Sequence, residues 1–520
     1  MNTLGFPILS MLLVLPVLGA IILLLVPREN TTLQRQITLA ITLASFVISW
    51  VLPITFNYNP GTIDASTPPV MQFVDQFPWI PAWGMSFALS LDGISLWLVL
   101  LTTFISFVVA LVTDSMVESN KRSFLALLLF FEAMLIGVFT AQDLFLFYLF
   151  WELALLPAIF MVGVWGRENR VRAAVRFFLF TFAGSVFMLL GIAGLYILHR
   201  QATGVSTFDI AQIVTDIRSG AFELGIVNER ILFGAFLAAF LVKVPIWPFH
   251  TWLPDTYSYA PTPATIMIAA VMSKMGTYGL IRFNVMLFPD TAAWAAPAIG
   301  ILAVIGILYG AIAAYAQSDM KRLVAYSSIS HMGFIALGIF ALNPVALSGA
   351  VLQMVNHGVT TAALFLVVAA MVARKGSYQL EAYSGLWKAI PIFSAFSLVF
   401  VLASIGLPGL NGFIGEYTLM QGTMSSSFLG WGFVGFAVLG VIFAAAYMLR
   451  FFRGAFMGEV EAEGAQLAEI SRNELLTFGL LLIPIVVIGL FPNLLFGAMQ
   501  HSAADITGSF LQAAQAALGQ

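Results

Sequence analysis

The stretch from Val242 to Lys274 decides the fold, and its sequence is VKVPIWPFHTWLPDTYSYAPTPATIMIAAVMSK. The pattern predicts two apolar helices of membrane depth joined by a short polar loop, with Lys243 in the first apolar run and Lys274 in the second. At about 1.5 Å of rise per residue, both lysines lie roughly 14–18 Å from the loop, near the middle of a hydrocarbon core about 30 Å thick. Because a charged side chain costs about 2.5–3.5 kcal/mol at that depth, we interpret both lysines as functional groups.

The composition of the whole chain agrees with this interpretation. Of 520 residues, 60% are hydrophobic and only 9% are charged, which indicates a polytopic helical membrane protein. The chain has no cysteine, which excludes disulfides, cysteine-ligated zinc, iron–sulfur ligation and thiol catalysis. No run of basic residues favours nucleic-acid binding.

Apolar windows of about twenty residues predict an all-α fold with about fourteen transmembrane helices. The runs are too long, and alternate too little, for the strands of a membrane β-barrel. The predicted spans centre near Leu15, Ser45, Leu101, Leu129, Leu153, Ser185, Phe240, Met275, Ile305, Gly333, Phe365, Leu402, Val441 and Pro484.

Positive charge is distributed unequally between the two sides of these spans. Sixteen of the 22 lysine and arginine residues fall in the loops of one side and four in the loops of the other. This bias predicts that the first side is cytoplasmic and that both termini lie on the outer or lumenal side. We predict three parts: three N-terminal transmembrane helices with an outer loop (1–122), a translocating core (123–458), and a last transmembrane helix with an outer tail (459–520).

Four segments outside the spans have predictions of their own. The outer loop 57–85 contains five prolines and is expected to be a coil. Residues 200–229 favour a short surface helix, and the tail after Pro492 favours an outer surface helix. The inner segment 458–474 is acidic, and we expect it to be solvated.

Two spans contain helix breakers. The seventh contains VKVPIWPFH, with Pro245 beside Lys243, and the twelfth contains GLPGLNGFIGEY, with Pro408 before Glu416. Such breaks are tolerated at membrane depth where protein or water satisfies the freed backbone. Their separation by five spans predicts two inverted five-helix repeats with discontinuous seventh and twelfth helices, an arrangement that marks the ion site in many transporters.

Ionisable side chains inside the spans are candidate proton sites, because such residues are rare in a bilayer and usually functional. The predicted relay at half depth consists of Glu152, Lys243, Lys274, His331, His357 and Glu416. Glu132 and His250 are supporting candidates, although no partner for Glu132 is evident from the sequence. Asp92 is expected to cap the third span instead.

The residue types suit proton transfer. Burial disfavours the charged form of a lysine and a nearby carboxylate favours it, so Glu152 is a candidate switch partner for Lys243. Histidines relay protons near neutral pH, and a terminal carboxylate can release them to water. The alternatives are structural: a buried lysine paired with a glutamate, and His331 and His357 bonded to other helices.

The sequence shows no motif for a metal site or for a catalytic nucleophile. The sequence contains no HExxH, no Walker loop and no GxSxG elbow. Bis-histidine haem ligation by His331 and His357 is disfavoured, because neither residue adjoins a redox-type motif. We therefore predict no metal and no bound cofactor in this chain.

Seven blocks of sequence resemble a known family. The blocks are FWELALLP, VKVPIWPFHTWLPD, YAPTPA, SKMGTYGLIRF, SDMKRLVAYSSISHMGF, NHGVTTAALF and GLPGLNGFIGEY. Their order and spacing, over nearly the whole chain, resemble the antiporter-like membrane subunits of respiratory complex I, and most of all the chain 4 type in its cyanobacterial and plastid versions. Glu416 argues against the chain 5 and chain 2 types, which have a lysine in this span.

The resemblance implies roles for the ionisable residues. Glu152 matches the fifth-span glutamate coupled to the seventh-span lysine, here Lys243. Lys274 matches the central eighth-span lysine, the two histidines match a connecting relay, and Glu416 matches the terminal acid.

The resemblance also implies a setting. The chain would be a subunit of a proton-pumping oxidoreductase that transfers electrons from ferredoxin or NAD(P)H to plastoquinone in a cyanobacterial-type thylakoid membrane, as part of photosynthetic electron transport. The quinone, iron–sulfur clusters and electron donor would belong to other subunits. Its partners would be neighbouring membrane-arm subunits, antiporter-like ones included, and lipids. The alternative is a Mrp-type cation/proton antiporter subunit, which ranks second because few acids line the path.

Overall fold

The computed structural model describes residues 5–59, 70–460 and 467–518. Within these ranges most of the chain is helical, as predicted. The first half of the chain forms α1 (Ile8–Leu25), α2 (Thr31–Ser49), α3 (Val51–Thr55), α4 (Ser95–Met116), α5 (Lys121–Thr140), α6 (Leu144–Trp165), α7 (Arg170–Thr203), α8 (Ile210–Arg218), α9 (Ile226–Lys243) and α10 (Leu253–Tyr259).

The first break lies where the sequence predicts it. Helix α9 ends at Lys243, residues 244–252 form turns that include Pro245, and the chain resumes as α10. The next span alternates between α- and π-helix: α11 (Thr262–Met267), a π segment (Ile268–Met272), α12 (Ser273–Gly279) and a second π segment (Leu280–Val285). π-Helical turns are rare in proteins, and those that occur are often found at functional sites. Here they lie on both sides of Lys274.

The second half of the chain contains the second break. Its helices are α13 (Pro289–Tyr315), α14 (Met320–Phe340), α15 (Pro344–Lys375), α16 (Leu386–Ala389), α17 (Pro391–Ile405), α18 (Asn411–Met424), α19 (Trp431–Phe456), α20 (Arg472–Leu490) and α21 (Asn493–Leu518). Between α17 and α18, Gly406 and Gly409 have φ angles of +83° and +92°, in the left-handed region that favours glycine. With Pro408 between them, they interrupt the twelfth span.

Twelve helices in the described ranges are long and apolar enough to cross a membrane. The two predicted spans outside that group are the interrupted ones. Helix α9 has three charged residues in its 18, while α17 and α18 have only 15 and 14 residues. The breaks themselves thus account for the difference from fourteen, and the inverted relation of the two repeats stays a prediction.

The span that contains Lys274 lies at the centre of the bundle. Its 18-residue apolar window is 100% buried, and those of α14 and α15 are 94% and 89% buried. The windows of α19 and α20 are only 33% buried, so their apolar faces point outward, as in helices that contact lipid or a neighbouring subunit.

The prediction of coil for the loop 57–85 is wrong for the part of it that the structure describes beyond residue 70. Strands β1 (Gln72–Ile80) and β2 (Met85–Leu91) form an antiparallel hairpin. Pro78 is tolerated because both strands of a two-stranded sheet have a free edge. The Asp75 carboxylate accepts hydrogen bonds from the Ser10 backbone N–H (2.8 Å) and hydroxyl (3.0 Å), which fixes the hairpin against α1. Residues 60–69 lie outside the described residues.

Both predicted surface helices are present. Helix α8 begins after Asp209, whose carboxylate accepts a hydrogen bond from the Gln212 backbone N–H. The tail forms α21, and Arg218 at the end of α8 pairs with Asp505 of α21 at 3.0 Å. The two helices therefore lie on the same face of the bundle.

In the described part of the acidic segment 458–474, Glu459 is exposed as predicted, whereas Glu469 and Glu474 are bonded to protein groups. Glu474 forms a bidentate pair with Arg374, with N–O distances of 2.7 and 2.8 Å, and also completes a capping box with Ser471. Glu469 accepts two backbone N–H groups at the start of α17. Residues 461–466 lie outside the described residues. These two glutamates accept hydrogen bonds from Arg374 and from N–H groups at the starts of α17 and α20. Arg374 and α17 are distant from them in the sequence, so these contacts could not be predicted from local pattern.

Candidate proton-transfer site

Lys274 is buried in the central span and makes three polar contacts. Its Nζ donates hydrogen bonds to the Ala269 carbonyl (2.8 Å) and the Ser273 hydroxyl (3.1 Å), and it lies 2.6 Å from His357 Nδ1. Ala269 belongs to the π segment that precedes α12, and His357 belongs to α15. The central span and α15 are thus joined by a lysine–histidine contact inside the membrane.

From His357 the contacts continue to the second break. The ring centroids of His357 and His331 are 5.7 Å apart, and His331 Nδ1 lies 2.9 Å from Glu416 Oε1. We call Lys274, His357, His331 and Glu416, in this spatial order, the relay line. The sequence predicts all four members, but their order along the chain places His331 first, whereas in space His357 contacts the lysine.

A cluster of buried amides surrounds the acidic end of the relay line. Gln353 donates to Glu416 Oε1 at 3.1 Å and accepts from Asn356 at 3.3 Å. Asn356 also donates to the carbonyl of Asn411, the first residue of α18, at 2.7 Å. These amides are not among the residues predicted from the sequence. Their signal was present in Gln353 and Asn356, which are polar residues within one turn of His357 in an otherwise apolar run.

A small cavity lies between the two histidines, and both line it together with Gln353 and Asn356. It has room for about one water molecule. His331 Nε2 and His357 Nε2 are both buried without a hydrogen-bond partner in the described part of the chain. A water molecule in this cavity is a candidate bridge between the two ring nitrogens.

Lys243 and Glu152 form a second, separate group. Lys243 Nζ is buried over the rings of Trp151 (5.1 Å) and Phe177 (5.9 Å), without a hydrogen-bond partner in the described ranges. Glu152 is its charged neighbour on α6, yet the two do not approach to salt-bridge distance. Tyr148, one turn before Glu152, directs its phenol at the carboxylate. Lys243 and Glu152 are therefore neighbours, as predicted, but they do not form a salt bridge; we call this the open geometry of the pair.

The two groups meet where the first break packs against the central span. Gly276 lies two residues beyond Lys274, and a Cβ placed on it would be 2.9 Å from the Val244 backbone nitrogen and 3.1 Å from Lys243 Cβ. Only a residue without a side chain allows this approach. No hydrogen bond joins the two lysines directly among the residues described.

The supporting candidates lie away from the relay line. His250 is buried in the first break, with its ring 4.8 Å from that of Tyr309 and its Nδ1 unpartnered in the described residues. Glu132 is buried on α5 and faces α2. Asp92 caps α4 as predicted, accepting from the Ser95 backbone N–H at 3.0 Å, and it also pairs with buried Arg282.

The site brings together side chains that can transfer protons. No group of three or more His, Asp or Glu side chains that could hold a metal ion occurs in the described ranges. The groups that do meet are an amine, two imidazoles and a carboxylate, each able to accept and return a proton. A polytopic helical membrane protein with this buried line has the architecture of ion-translocating membrane subunits.

The family follows from the sequence. Residues 141–444 match the model of the family described as "NADH:quinone oxidoreductase/Mrp antiporter, TM". The matched segment is more than half of the chain and contains every member of the relay line. The chain belongs to this family.

Relatives and a solved structure agree with that assignment. The chain is 36% identical to "NADH-quinone oxidoreductase subunit M" of Rhodobacter capsulatus, covering 97% of each chain. It is 35% identical to "NADH-ubiquinone oxidoreductase chain 4" of Marchantia polymorpha, covering 96% of each. Its fold matches a chain of respiratory complex I from Thermus thermophilus with a TM-score of 0.85 and 31% identity, covering 97% of this chain and 99% of that one.

Proposed function

We propose that this chain is a proton-translocating membrane-arm subunit of a complex I-type quinone oxidoreductase. The observation that carries the proposal is the buried sequence of contacts from Lys274 through two histidines to Glu416. Groups that exchange protons at this depth are expensive to bury and are rarely kept without a use. The chain itself holds no redox step in this proposal, and the electron carriers belong to other subunits.

The contacts define a sequence of proton transfers. The Lys274 ammonium gives a proton to His357 Nδ1, and His357 passes the proton of its Nε2 through a water molecule to His331 Nε2. His331 then passes the proton on its Nδ1 to Glu416. Each group accepts one proton and releases one, and both imidazoles end in the other tautomer. The line returns to its starting state when Lys274 is reprotonated, Glu416 is emptied and both rings have returned to their first tautomer.

Lys243 and Glu152 act as the switch in this proposal. The ammonium is favoured when the carboxylate approaches and disfavoured when it retreats, because Lys243 is otherwise surrounded by aromatic rings. The open geometry corresponds to the retreated state. A neighbouring subunit that moves the Glu152 carboxylate would therefore change the proton affinity of Lys243.

The test uses the purified assembly reconstituted in vesicles, with the number of protons moved per electron as the measurement. Lys274→Met keeps the length of the side chain and removes the amine, and we expect a lower proton yield. Lys243→Ala is expected to act in the same direction. The control is Lys388→Met, because this lysine is exposed in its pair with Glu459. An unchanged yield in Lys274→Met would reject the relay line.

A Mrp-type cation/proton antiporter subunit is the second candidate, since the family description includes that class. Copurification separates the two functions. Quinone-module and iron–sulfur subunits recovered with the chain support the oxidoreductase, whereas other exchanger subunits alone support the antiporter.

Finer features of the setting are part of the proposal. The excess of lysine and arginine on one side supports outer termini and an inner face that contains Arg322 and Arg374. Plastoquinone, a ferredoxin or NAD(P)H donor and a thylakoid location derive from sequence resemblance alone, while the relatives named above are called quinone and ubiquinone oxidoreductase subunits. Fractionation of the source membranes tests the location.

The division of the chain at residues 122 and 458 is also part of the proposal. The matched segment 141–444 lies inside the proposed core, 123–458.

A further inference from the structure

A row of polar side chains occupies one face of α2. Gln34, Thr38, Thr42, Ser45 and Ser49 are spaced by three or four residues, so they lie on one side of the helix, and each is at most 1% exposed. The last of them contacts α4: the Ser49 hydroxyl lies 2.8 Å from the Thr103 hydroxyl. We call these five residues, four with hydroxyl groups and Gln34 with a side-chain amide, the hydroxyl face of α2.

The hydroxyl face begins at the predicted inner surface. Gln34 Nε2 donates to the carbonyls of Pro27 (2.7 Å) and Arg28 (3.2 Å), in the loop between α1 and α2. Thr38 and Thr42 each donate to the carbonyl four residues earlier, at 2.9 Å. Their oxygens remain free to accept a hydrogen bond.

The hydroxyl face meets a buried acid, Glu132 of α5. Glu132 is 0% exposed, and neither carboxyl oxygen has a hydrogen-bond or ion-pair partner in the described part of the chain. The Ser45 side chain faces this carboxyl, and its own hydroxyl is also without a partner there. Two unpartnered polar groups thus face each other in a sealed environment.

Packing alone does not account for this arrangement. Small hydroxyl residues let membrane helices approach closely, which would explain the hydroxyl face without Glu132. A buried carboxyl group, in contrast, has a large desolvation cost, and in the described ranges only the facing Ser45 hydroxyl is placed to offset part of it. The site also lies outside the matched segment 141–444 and outside the relay line.

We propose that Glu132 is a second proton-binding site, loaded from the inner surface along the hydroxyl face of α2. The proposal rests on the proposed function, since the proton held here is one that the subunit handles during turnover. A water molecule held at the Gln34 side-chain carbonyl delivers the proton, each threonine or serine oxygen accepts one proton and releases its own, and the Glu132 carboxylate accepts the last through Ser45. Four residues of helix rise about 6 Å, so one water molecule between successive hydroxyls is part of the proposal.

The first experiment follows the carboxyl group directly by infrared spectroscopy of the reconstituted assembly. We expect a protonated carboxyl band that Glu132→Gln removes. Thr42→Val keeps the shape of the side chain but removes its hydroxyl, and we expect hydrogen–deuterium exchange of the band to slow by about tenfold. Thr113→Val is the matched control, because Thr113 is also buried and also donates to the carbonyl four residues earlier, at 2.7 Å, but on α4. A missing band, or equal exchange in Thr42→Val and the wild type, overturns the proposal.

The second experiment separates this inference from the proposed function by comparing proton yields per electron. A lower yield in both Glu132→Gln and Lys274→Met supports both. A lower yield in Lys274→Met with a wild-type yield in Glu132→Gln overturns the loading site and leaves the relay line intact. A wild-type yield in Lys274→Met rejects the proposed function, and the exchange measurement above still decides whether Glu132 binds a proton along the hydroxyl face.

Discussion

Glu416→Gln is the sharpest test of the acidic end of the relay line. The Glu416 carboxylate accepts from His331 Nδ1 at 2.9 Å and from Gln353 Nε2 at 3.1 Å. Glutamine has the same shape and can still accept a hydrogen bond, but it carries no charge and takes up no proton. The substitution therefore removes the last proton acceptor with little change in packing.

The expected magnitude follows from the distance between the two side chains. A transient positive charge on His331 loses a carboxylate at contact distance, which is worth about 4 kcal/mol for unit charges about 4 Å apart at an effective dielectric constant near 20. At about 1.4 kcal/mol per factor of ten, proton transfer through His331 slows by about three orders of magnitude. Transfer at that rate would contribute nothing measurable during turnover.

The assay is proton yield per electron together with the rate of quinone reduction. Glu416→Gln should lose the contribution of this subunit to the yield. Glu416→Asp keeps the charge on a shorter side chain and should recover part of it. Glu459→Gln is the same chemical change at a carboxylate whose side chain is 93% exposed, and it should have no effect. A wild-type yield in Glu416→Gln would refute the reasoning.

Two further predictions concern the packing around the site. Gly276→Ala places a methyl group 2.9 Å from the Val244 backbone nitrogen and should lower the proton yield by separating the first break from the central span, whereas Gly234→Ala, in a space with nothing within 4 Å, should leave the yield unchanged. Asp92→Asn leaves the Arg282 guanidinium buried without its ionised partner and should lower the free energy of unfolding by about 3–5 kcal/mol. The double variant Asp92→Asn/Arg282→Gln should recover part of that loss in detergent unfolding, and additive effects of the two single changes would argue against their pairing.

Much of the fold could be predicted because the bilayer constrains it strongly. Runs of apolar residues predicted the helices, and prolines and glycines at depth located both breaks. The hairpin of β1 and β2 could not be predicted in the same way, since its pattern is short and contains Pro78 and Pro81. What favours it is contact with α1 through Asp75, a tertiary interaction that no local pattern records.

The membership of the site was predictable, but its connectivity was not. Ionisable residues at depth are conspicuous in an apolar sequence, which is why all four members of the relay line were found. Their order depends on how α14 and α15 face the central span, and only the packed structure places His357 rather than His331 against Lys274. The amides were missed because Gln353 and Asn356 are uncharged, and an uncharged polar residue inside a helix has many structural explanations.

The second break and the acidic end of the relay line depend on the same contacts. Interrupting a helix at membrane depth leaves backbone groups that must be satisfied by protein or water. Asn356 contacts the first residue after the break, donating to the Asn411 carbonyl at 2.7 Å, and it is the residue directly before His357 on α15. Helix α18 also carries Glu416, so a shift of α18 that breaks the contact at Asn411 also changes the distance between Glu416 and His331. In the proposed transfer sequence, the break is therefore a point at which a small movement of one helix would change the last step without altering any residue of the relay line.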